Sequence, residues 1–442
     1  MTERGISRRD LLLAGTALAL GGVPFAARGQ LRVDITRGQV EPLPIAVSPF
    51  AGDGAGAAEL GRRMAEVVAA DLDGSGLFRT IDPRAYIQRP DELRNLPRFA
   101  DWRQINAQAL VTGVVRTGGA DGLAVEFRLW DVFAGTQMTG FRYTLARRLW
   151  RRVAHKIADA VYERMTGEKG YFDTRIVYVS QTGPATDRVK RIAIMDQDGA
   201  NHRFLTRGRE LVLTPRFTPD ARRVAYLAYR GRTPGIFLRD LASGRDRRIG
   251  SFAGMNFSPR FSPDGRVMLM TIAREGNSDI FAFELASRRL LRLTDHPAID
   301  TSPSFSPDGR EIVFNSDRGG SPQLYVMDRN GRNARRISFG AGRYGSPVWS
   351  PRGDFIAFTK IKGGYFHIGV MRPDGSDERL ITRSFFDEAP VWSPNGRIIM
   401  FTRQDPSTDR TRLMRIDLTG YNLREIPTPT DASDGDWSNL IP

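Results

Sequence analysis

The chain has 442 residues, of which 40% are hydrophobic and 26% are charged, and its formal net charge at pH 7 is +15. These proportions are those of an ordinary water-soluble, folded protein with room for two or three domains. The sequence contains no cysteine, which excludes disulfide bonds, thiolate metal sites and a cysteine nucleophile.

The first 29 residues have the features of an export signal. Arg8 and Arg9 follow Ser7 and precede a leucine-rich apolar run that ends near Val23. This run is too short to span a bilayer, which favours a cleaved signal peptide over a membrane anchor. The paired arginines are similar to those of the twin-arginine signal, and a general secretory signal with incidental arginines is the alternative. Both predict that residues 1–29 are removed on export from the cytoplasm of a bacterium.

Residues 30–166 alternate between helix-like and strand-like hydrophobic patterns. Apolar residues recur on one helical face over 57–72 and again over 147–165. Short apolar runs over 44–50, 78–81, 109–116, 123–130 and 138–145 predict strands, and residues 102–109 are predicted to form a short helix. The pattern predicts a mixed α/β domain over 30–166, followed by a short joint.

From residue 215 onward, one phrase of proline, aromatic residue, serine, proline and tight turn recurs at a nearly constant interval. The aromatic residues of successive copies stand 44, 44, 44, 43 and 45 positions apart, at Phe217, Phe261, Phe305, Trp349, Trp392 and Trp437. A period in the forties is typical of a β-propeller blade. Because proline cannot donate to a sheet, each phrase is predicted to lie at the end of a short strand, with its aromatic ring against the neighbouring blade.

The last copy of the phrase is incomplete, since the chain ends five residues after Trp437. Strand-like runs over 175–180, 190–196 and 201–206, before the first copy, can supply what it lacks. Pairing the two ends would close the ring and remove both open edges. The predicted fold is therefore an α+β N-terminal domain followed by an all-β six-bladed β-propeller over 171–442, closed by the C-terminal strand.

Two features carry a resemblance to a known family. One is the repeated phrase itself, and the more specific one is the helical segment 150–170, which runs directly into the strand at 174–180. Segments 71–78, 111–115 and 127–131 support them. Over essentially the whole exported chain, the sequence resembles the TolB family, soluble periplasmic components of the Tol-Pal envelope system.

The resemblance implies a periplasmic binding protein rather than an enzyme. It implies that the lipoprotein Pal docks on one mouth of the propeller and that TolA captures the N-terminal segment. Together these partners support outer-membrane invagination during cell division and keep the envelope intact. No cofactor, metal ion, catalytic residue or nucleic acid is implied, and we expect a monomer that reaches membranes only through its partners.

The candidate TolA-binding segment is the start of the exported chain, Leu31, Arg32, Val33, Asp34, Ile35 and Thr36. Its alternating apolar residues suit addition of a strand to the sheet edge of a partner. An edge strand tied to its own domain is the alternative.

The candidate Pal-binding face consists of the loops that lead into the repeats, because these all emerge at one mouth. The family places histidine where this chain has Met255, so a contact there would be apolar. Ordinary solvated loop residues are the alternative at each position. The predicted residues are Thr214, Met255, Asn256, Ser258, Asp300, Thr301, Tyr344, Asp387 and Glu388.

Two other classes of function stay open at the level of sequence. The same scaffold hosts secreted hydrolases and lyases, so the fold alone does not exclude an enzyme. The chain has four histidines without metal-ligand spacing, and His155 is interpreted as structural. A glycan-binding propeller would use aromatic residues such as Tyr344, Tyr365 and Phe386. The positive charge is dispersed arginine, which indicates a solvated basic surface rather than a nucleic-acid site.

Overall fold

The computed structural model describes residues 31–33, 41–118, 121–184, 186–230, 233–250, 252, 255–274 and 276–442. The predicted signal peptide lies outside these residues. Within them, residues from Arg32 to Pro442 belong to one compact unit. No helix in these ranges is both long enough and apolar enough to cross a membrane.

The N-terminal domain is a mixed sheet covered by two long helices. Its elements are β1 (Leu43–Val47), β2 (Ala51–Asp53), α1 (Ala57–Gly74), β3 (Phe78–Thr80), α2 (Phe99–Gln104), β4 (Ala109–Gly118), β5 (Gly122–Asp131), β6 (Thr136–Ala146) and α3 (Trp150–Thr166). The sheet order is β3-β1-β4-β5-β6, with β2 also paired to β4. Strand β1 runs parallel to both of its neighbours, while β4, β5 and β6 form an antiparallel meander.

The short helix predicted over 102–109 is wrong in position, because α2 spans Phe99–Gln104. Its Trp102 is buried against the sheet and donates its indole N–H to the amide oxygen Oε1 of Gln88 at 2.9 Å. The chain then reverses at Asn106, where φ is 60°, and enters β4 at Ala109. The hydrogen bond to Gln88 holds the helix closer to the N-terminus than predicted. The hydrophobic pattern of the sequence does not reveal this contact.

The propeller contains the remaining strands. In chain order these are β7 (Arg175–Thr182), β8 (Val189–Asp196), β9 (Arg203–Phe204), β10 (Leu211–Phe217), β11 (Arg223–Arg230), β12 (Thr233–Asp240), β13 (Asp246–Gly250), β14 (Met255–Phe261), β15 (Val267–Arg274), β16 (Asn277–Glu284), β17 (Leu290–Arg292), β18 (Asp300–Phe305), β19 (Glu311–Ser316), β20 (Gln323–Asp328), β21 (Arg335–Arg336), β22 (Arg343–Trp349), β23 (Ile356–Lys362), β24 (Tyr365–Met371), β25 (Arg379–Leu380), β26 (Asp387–Trp392), β27 (Ile398–Gln404), β28 (Thr411–Asp417), β29 (Arg424–Glu425) and β30 (Asp431–Trp437).

These strands form six four-stranded antiparallel blades. Blades 1 to 5 are β10–β13, β14–β17, β18–β21, β22–β25 and β26–β29, and blade 6 combines β30 with β7–β9. In blade 6, Trp437 pairs with Ile176 and donates its indole N–H to the Thr174 hydroxyl at 2.8 Å. The prediction of a six-bladed ring closed by the C-terminal strand is confirmed.

The first proline of the repeat lies inside a strand of ordinary length rather than at the end of a short one, which corrects the prediction, and the second proline follows the end of that strand. Each innermost strand has six or seven residues, and the short strands are the outermost ones, with two to five residues. The ladder shifts by a β-bulge at the first proline of each copy, as between Leu213 and Arg216, so the missing N–H leaves no gap in the pairing. Left-handed residues mark these bulges, for example Thr214 at φ 47° and Ser302 at φ 54°.

Helix α3 connects the two domains. It ends at Gly167, whose φ of 80° suits glycine and whose N–H donates to the Glu163 carbonyl at 2.8 Å. Beyond the helix, Glu168 forms an ion pair of 2.5 Å with Arg352, and the Lys169 carbonyl accepts from Asn395 at 2.9 Å. Both propeller residues lie in turns that follow an innermost strand, so the N-terminal domain packs at that end of the ring.

Candidate functional site: the propeller channel and its loop mouth

The six innermost strands β10, β14, β18, β22, β26 and β30 surround a central channel with two distinct ends. The end at which these strands begin, with the loops leading into them, is here called the loop mouth. The end at which they finish is the turn mouth. Because the N-terminal domain packs against turns at the second end, the loop mouth stays open to a partner.

The repeated phrase forms the wall of the turn mouth. A cavity of about 380 Å³ is lined by the aromatic, Ser and Pro residues of the successive copies, including Phe217, Phe305 and Trp392. The sequence signal that identified the blades is therefore also the lining of the channel.

A charged layer separates this cavity from the loop mouth. Asp436 Oδ1 lies 3.3 Å from the Arg260 guanidinium, and Asp436 Oδ2 accepts from the Phe217 N–H at 2.8 Å. Burial raises the pKa of Asp436, while Arg216 and Arg260 act against that rise. The opposite wall at this level carries Val348, so the channel is polar on one side and apolar on the other.

The loop mouth opens into a smaller cavity of about 130 Å³, lined in part by Thr214, Ser302, Glu388 and Asp434. Glu388 is half-buried, and this burial together with the nearby Asp434 carboxylate raises the pKa of Glu388 to about 7. A carboxyl group with this pKa changes its charge near neutral pH. Of the predicted site residues, Thr214 and Glu388 therefore meet at the channel entrance.

Two predicted face residues are buried, which corrects their expected role as direct contacts. Asp300 and Asp387 are both 0% exposed. The guanidinium of Arg318 contacts both oxygens of Asp300 at 3.1 and 2.9 Å, and Arg403 contacts both oxygens of Asp387 at 2.7 and 2.8 Å. These bidentate pairs hold the start of an innermost strand against the neighbouring strand of the same blade.

Tyr344 is also buried, at 2% exposure, and its hydroxyl is part of a polar cluster in blade 4. Its hydroxyl donates to Glu378 at 2.8 Å and accepts from the Lys360 ammonium at 2.5 Å. Lys360 also donates to Glu378 at 2.5 Å, which completes a closed triangle of charge-assisted bonds. The ring of Tyr344 is therefore not available to a partner or to a glycan.

The remaining predicted residues differ in what the structure shows of them. Met255, Asn256 and Ser258 lie in β14, for which only the backbone is described at these positions, and Met255 pairs with Ala273. Thr301 is half-exposed at the start of β18, and its hydroxyl donates to Asn315 at 3.3 Å. Among the predicted residues whose side chains the structure describes, Thr214, Thr301 and Glu388 are partly accessible at the mouth.

The sequence reasoning missed an apolar surface between blades 4 and 5, here called the blade 4–5 seam: Ile361, Phe366, Phe385 and Phe386. Ile361 pairs with Phe366 in the ladder, and Phe366 exchanges two backbone hydrogen bonds of 2.9 Å with Ser384. The rings of Phe366 and Phe386 are 4.7 Å apart, and Phe385 is 55% exposed. The adjacent pair Phe385-Phe386 in a connecting loop was the sequence signal for this surface.

Positive charge borders the seam. Arg343 pairs with Ile361 in the ladder and is exposed, and the Arg383 guanidinium lies 4.0 Å from the centre of the exposed Tyr365 ring. Lys362 is exposed in the same hairpin. The loop mouth thus combines exposed aromatic surface with a basic rim on blade 4.

The candidate TolA-binding segment is described only in its first half. Leu31, Arg32 and Val33 are described, whereas Asp34, Ile35 and Thr36 lie outside the described residues. The Val33 N–H donates to the Met165 carbonyl at 2.9 Å, and the Val33 side chain is 6% exposed. At this point the segment is attached to the last turn of α3.

One group of side chains at the domain joint has the composition of a metal site. A ligand atom from each of Asp71, His155 and Asp198 lies within 4.8 Å of the others. However, His155 Nδ1 is 2.6 Å from Asp71 Oδ2, and Gln197 donates to Asp71 Oδ1 at 2.8 Å. Burial disfavours the charged form of His155, but Asp71 and the neighbouring acids outweigh it and raise the pKa of His155 to about 9. A protonated histidine paired with aspartate is a structural contact and a poor metal ligand.

Comparisons with known proteins agree for both domains. A family profile described as "TolB beta propeller domain" matches residues 162–441, and one described as "TolB amino-terminal domain" matches residues 31–138. A "Tol-Pal system protein TolB" of Paramagnetospirillum magneticum is 55% identical over 254 residues, a stretch that spans 57% of this chain and 57% of that relative.

Solved structures show the same agreement. The crystal structure of TolB from Acinetobacter baumannii matches with a TM-score of 0.81 and 29% identity, over 93% of this chain and 100% of that one. A hydrazine synthase from Kuenenia stuttgartiensis matches with a TM-score of 0.50 and 12% identity, over 60% of this chain and 47% of that one. The second likeness shows the fold alone.

Proposed function

The chain belongs to the TolB family, and from that premise we propose that it is a non-enzymatic, protein-binding component of a Tol-Pal system in the periplasm. It docks Pal on the loop mouth of the propeller and TolA through its N-terminal segment. In this role it supports outer-membrane invagination during cell division and the integrity of the envelope. The observation that carries the proposal is a rigid, open mouth with exposed aromatic surface at the end opposite the N-terminal domain.

The blade 4–5 seam supplies the apolar anchor of the proposed Pal contact. Aromatic side chains have few rotatable bonds and lose little conformational freedom on binding, and a few such residues dominate most interfaces. Phe385 and Ile361 are 55% and 36% exposed, and they neighbour the half-buried rings of Phe386 and Phe366. Thr301 and Glu388 extend this surface toward the channel.

The positive charge of the rim favours a partner with an acidic surface. Arg343, Lys362 and Arg383 border the seam, so an acidic patch on the partner would be attracted to it. Such charges act mainly on the rate of association, and the aromatic anchor acts on the rate of dissociation. We therefore expect salt to weaken the proposed contact mainly through slower association.

The test is a binding measurement with purified Pal. The change Phe385→Ala combined with Ile361→Ser should weaken Pal binding by about 2 kcal/mol or more, roughly 30-fold in Kd, because it removes the anchor. The matched control is Phe133→Ala, which removes an aromatic ring of 61% exposure on the N-terminal domain. An unchanged Kd for the double variant would move the contact elsewhere, and failure of the unaltered protein to bind Pal would refute the proposed function.

A separate experiment tests the proposed binding of TolA. Removing residues 30–40 should abolish capture of TolA and leave Pal binding intact, since the segment leaves α3 at the far end from the loop mouth. The helix keeps its other contacts in this deletion. Capture of TolA by the shortened protein would contradict the assignment, and turnover of ester or glycan substrates would favour an enzyme.

A further inference from the structure

A second cavity lies at the joint between the domains, far from the residues assigned to Pal and TolA. It has a volume of about 240 Å³ and lies between the start of α3 and the blade 6 strands β7, β8 and β9. Five arginines and one aspartate supply its charged lining: Arg148, Arg151, Arg152, Arg175, Arg203 and Asp196. A concave site with this excess of guanidinium groups is suited to an anion.

The start of α3 supports the same reading independently. The first turn carries Arg151 and Arg152 and no acidic residue, and Leu149 at the N-cap makes no side-chain capping bond. The positive end of the helix dipole disfavours cations and favours anions, so this placement is unfavourable for the helix alone. A 3-10 turn over Arg147–Leu149 leads directly into α3, and the Trp150 N–H already donates to the Arg147 carbonyl, so the guanidinium groups of this turn, rather than its backbone, face the cavity as anion ligands.

The internal acids neutralise only part of the cluster. Arg148 lies 3.6 Å from Asp121, Arg151 contacts Asp198, and Arg152 lies 2.8 Å from Asp173. Asp173 is shared with Lys156 at 3.2 Å. The first three arginines therefore have acidic partners within the protein.

Arg175 and Arg203 carry the remaining charge. Within the described ranges, neither guanidinium forms an ion pair, and the nearby Asp196 already accepts a hydrogen bond of 2.6 Å from Asn201 and faces Arg151 at 3.6 Å. Burial is the main cause that lowers the pKa of Arg175; Asp196 and Asp173 act against this shift, and Arg152 and Arg203 add to it. Arg175 is half-buried and Arg203 is exposed, and their like charges repel each other unless an anion lies close to both.

We propose that this cavity binds a small, multiply charged oxyanion of the phosphate class, either free or as a phosphomonoester group. The guanidinium groups of Arg175 and Arg203 contact its oxygens from the blade 6 side, and the guanidinium group of Arg148 contacts it from the side of α3. The volume accommodates a phosphate and part of an attached group. A bound anion would thereby connect the N-terminal domain to the propeller, and this role is independent of Pal and TolA binding.

The experiment measures inorganic phosphate binding to the whole protein by calorimetry and by thermal shift, with chloride at equal ionic strength as the reference. Phosphate should raise the Tm in a saturable way, because a ligand that binds only the folded state stabilises it. The double change Arg175→Gln and Arg203→Gln should weaken phosphate binding by about tenfold or more, since each charge-assisted bond is strong. The matched control is Arg222→Gln with Arg247→Gln, two exposed arginines of blade 1.

A single variant at the edge of the cavity keeps the test valid if the double variant fails to fold. Arg148 has a side chain that is 76% exposed. In Arg148→Glu, the new acid suits the helix start, so Tm without phosphate should hold while the phosphate shift becomes smaller. An equal phosphate response in the unaltered protein and in both site variants, or no response at all, would overturn the proposal.

The source of the phosphoryl group is resolved with two further probes. If glycerol 3-phosphate binds and the protein does not co-sediment with vesicles of phosphatidic acid, the ligand is a soluble molecule. Co-sedimentation that is lost in the double variant indicates a lipid headgroup. Both results support the site, and failure of both probes together with inorganic phosphate contradicts it.

Discussion

Single carboxyl groups at the loop mouth have two separate roles. Asp387 is fully buried and bound through both oxygens to Arg403, whereas its neighbour Glu388 faces the channel with a pKa of about 7. The sequence predicted both as face residues because they stand in a loop that leads into a repeat. Side chains alternate in direction along β26, so Asp387 points into the blade and Glu388 points toward the channel. This register depends on the bulge at Pro390.

Removal of Asp387 should destabilise the propeller. The change Asp387→Ala leaves the Arg403 guanidinium without its buried partner, and we expect a loss of about 3 kcal/mol in the free energy of unfolding. Chemical denaturation measures it, with Glu388→Gln as the neighbouring control. A loss below about 1 kcal/mol would mean that solvent reaches Arg403 readily. For the same reason, a charge reversal at Asp387 is not a clean test of Pal binding.

Glu388 should make stability depend on pH in the opposite direction from a salt-bridged acid. Its pKa is higher in the folded state than the ordinary value of 4.5, so its contribution is present below pH 4.5 and is lost as pH rises through about 7. The change Glu388→Gln should remove this part of the slope and stabilise the protein at pH 8 by about 1 kcal/mol, allowing for solvent in the channel. Denaturation midpoints at pH 5 and pH 8 for both proteins measure it, and parallel curves would contradict the assignment.

At the scale of elements, the sequence predicted best where structure depends on local chemistry. The turn and proline phrase marked every innermost strand, and the helical periodicity of 147–165 corresponds to a short 3-10 turn at Arg147–Leu149 followed by α3. It failed where a distant partner decides the outcome. The position of α2 depends on Gln88, and the burial of Tyr344 depends on Lys360 and Glu378.

The contact between α1 and α3 should be sensitive to alkaline pH. The pKa of His155 is raised to about 9, so its ion pair with Asp71 contributes stability that is full below pH 6.5 and is lost as pH rises through about 9. The change His155→Gln should lower stability at pH 7 by about 2 kcal/mol, because it leaves the buried Asp71 with a weaker partner. The difference from the unaltered protein should shrink by pH 10, and thermal melting at the two pH values measures it. A difference that is constant with pH would show that His155 is neutral.

At the scale of the whole molecule, one chain end completes the ring. Strand β30 pairs with β7 along its length, and Ser438 exchanges hydrogen bonds of 2.9 Å with the backbone of Arg175. The last residues also reach the N-terminal domain, since the Ile441 carbonyl accepts from Arg152 at 2.9 Å. The repeat period predicted this closure, because a partial copy at one end matched the missing strands at the other.

Deletion of residues 430–442 should therefore unfold the propeller as a unit. The truncation removes the innermost strand of blade 6, exposes the edge of β7 and removes the buried ring of Trp437 from that blade. Calorimetry should show that the propeller transition is lost or displaced to much lower temperature in a single step. A truncated protein that melts at the original temperature would refute the closure.

Strand β30 also sets a time order for folding. A ribosome releases residues 431–437 after all other strands of the ring, so a growing chain holds five finished blades and an incomplete sixth. Until those residues arrive, β7 presents a bare edge that invites association with other chains. We therefore expect a stop codon a dozen positions early to yield aggregates rather than a weakened binder.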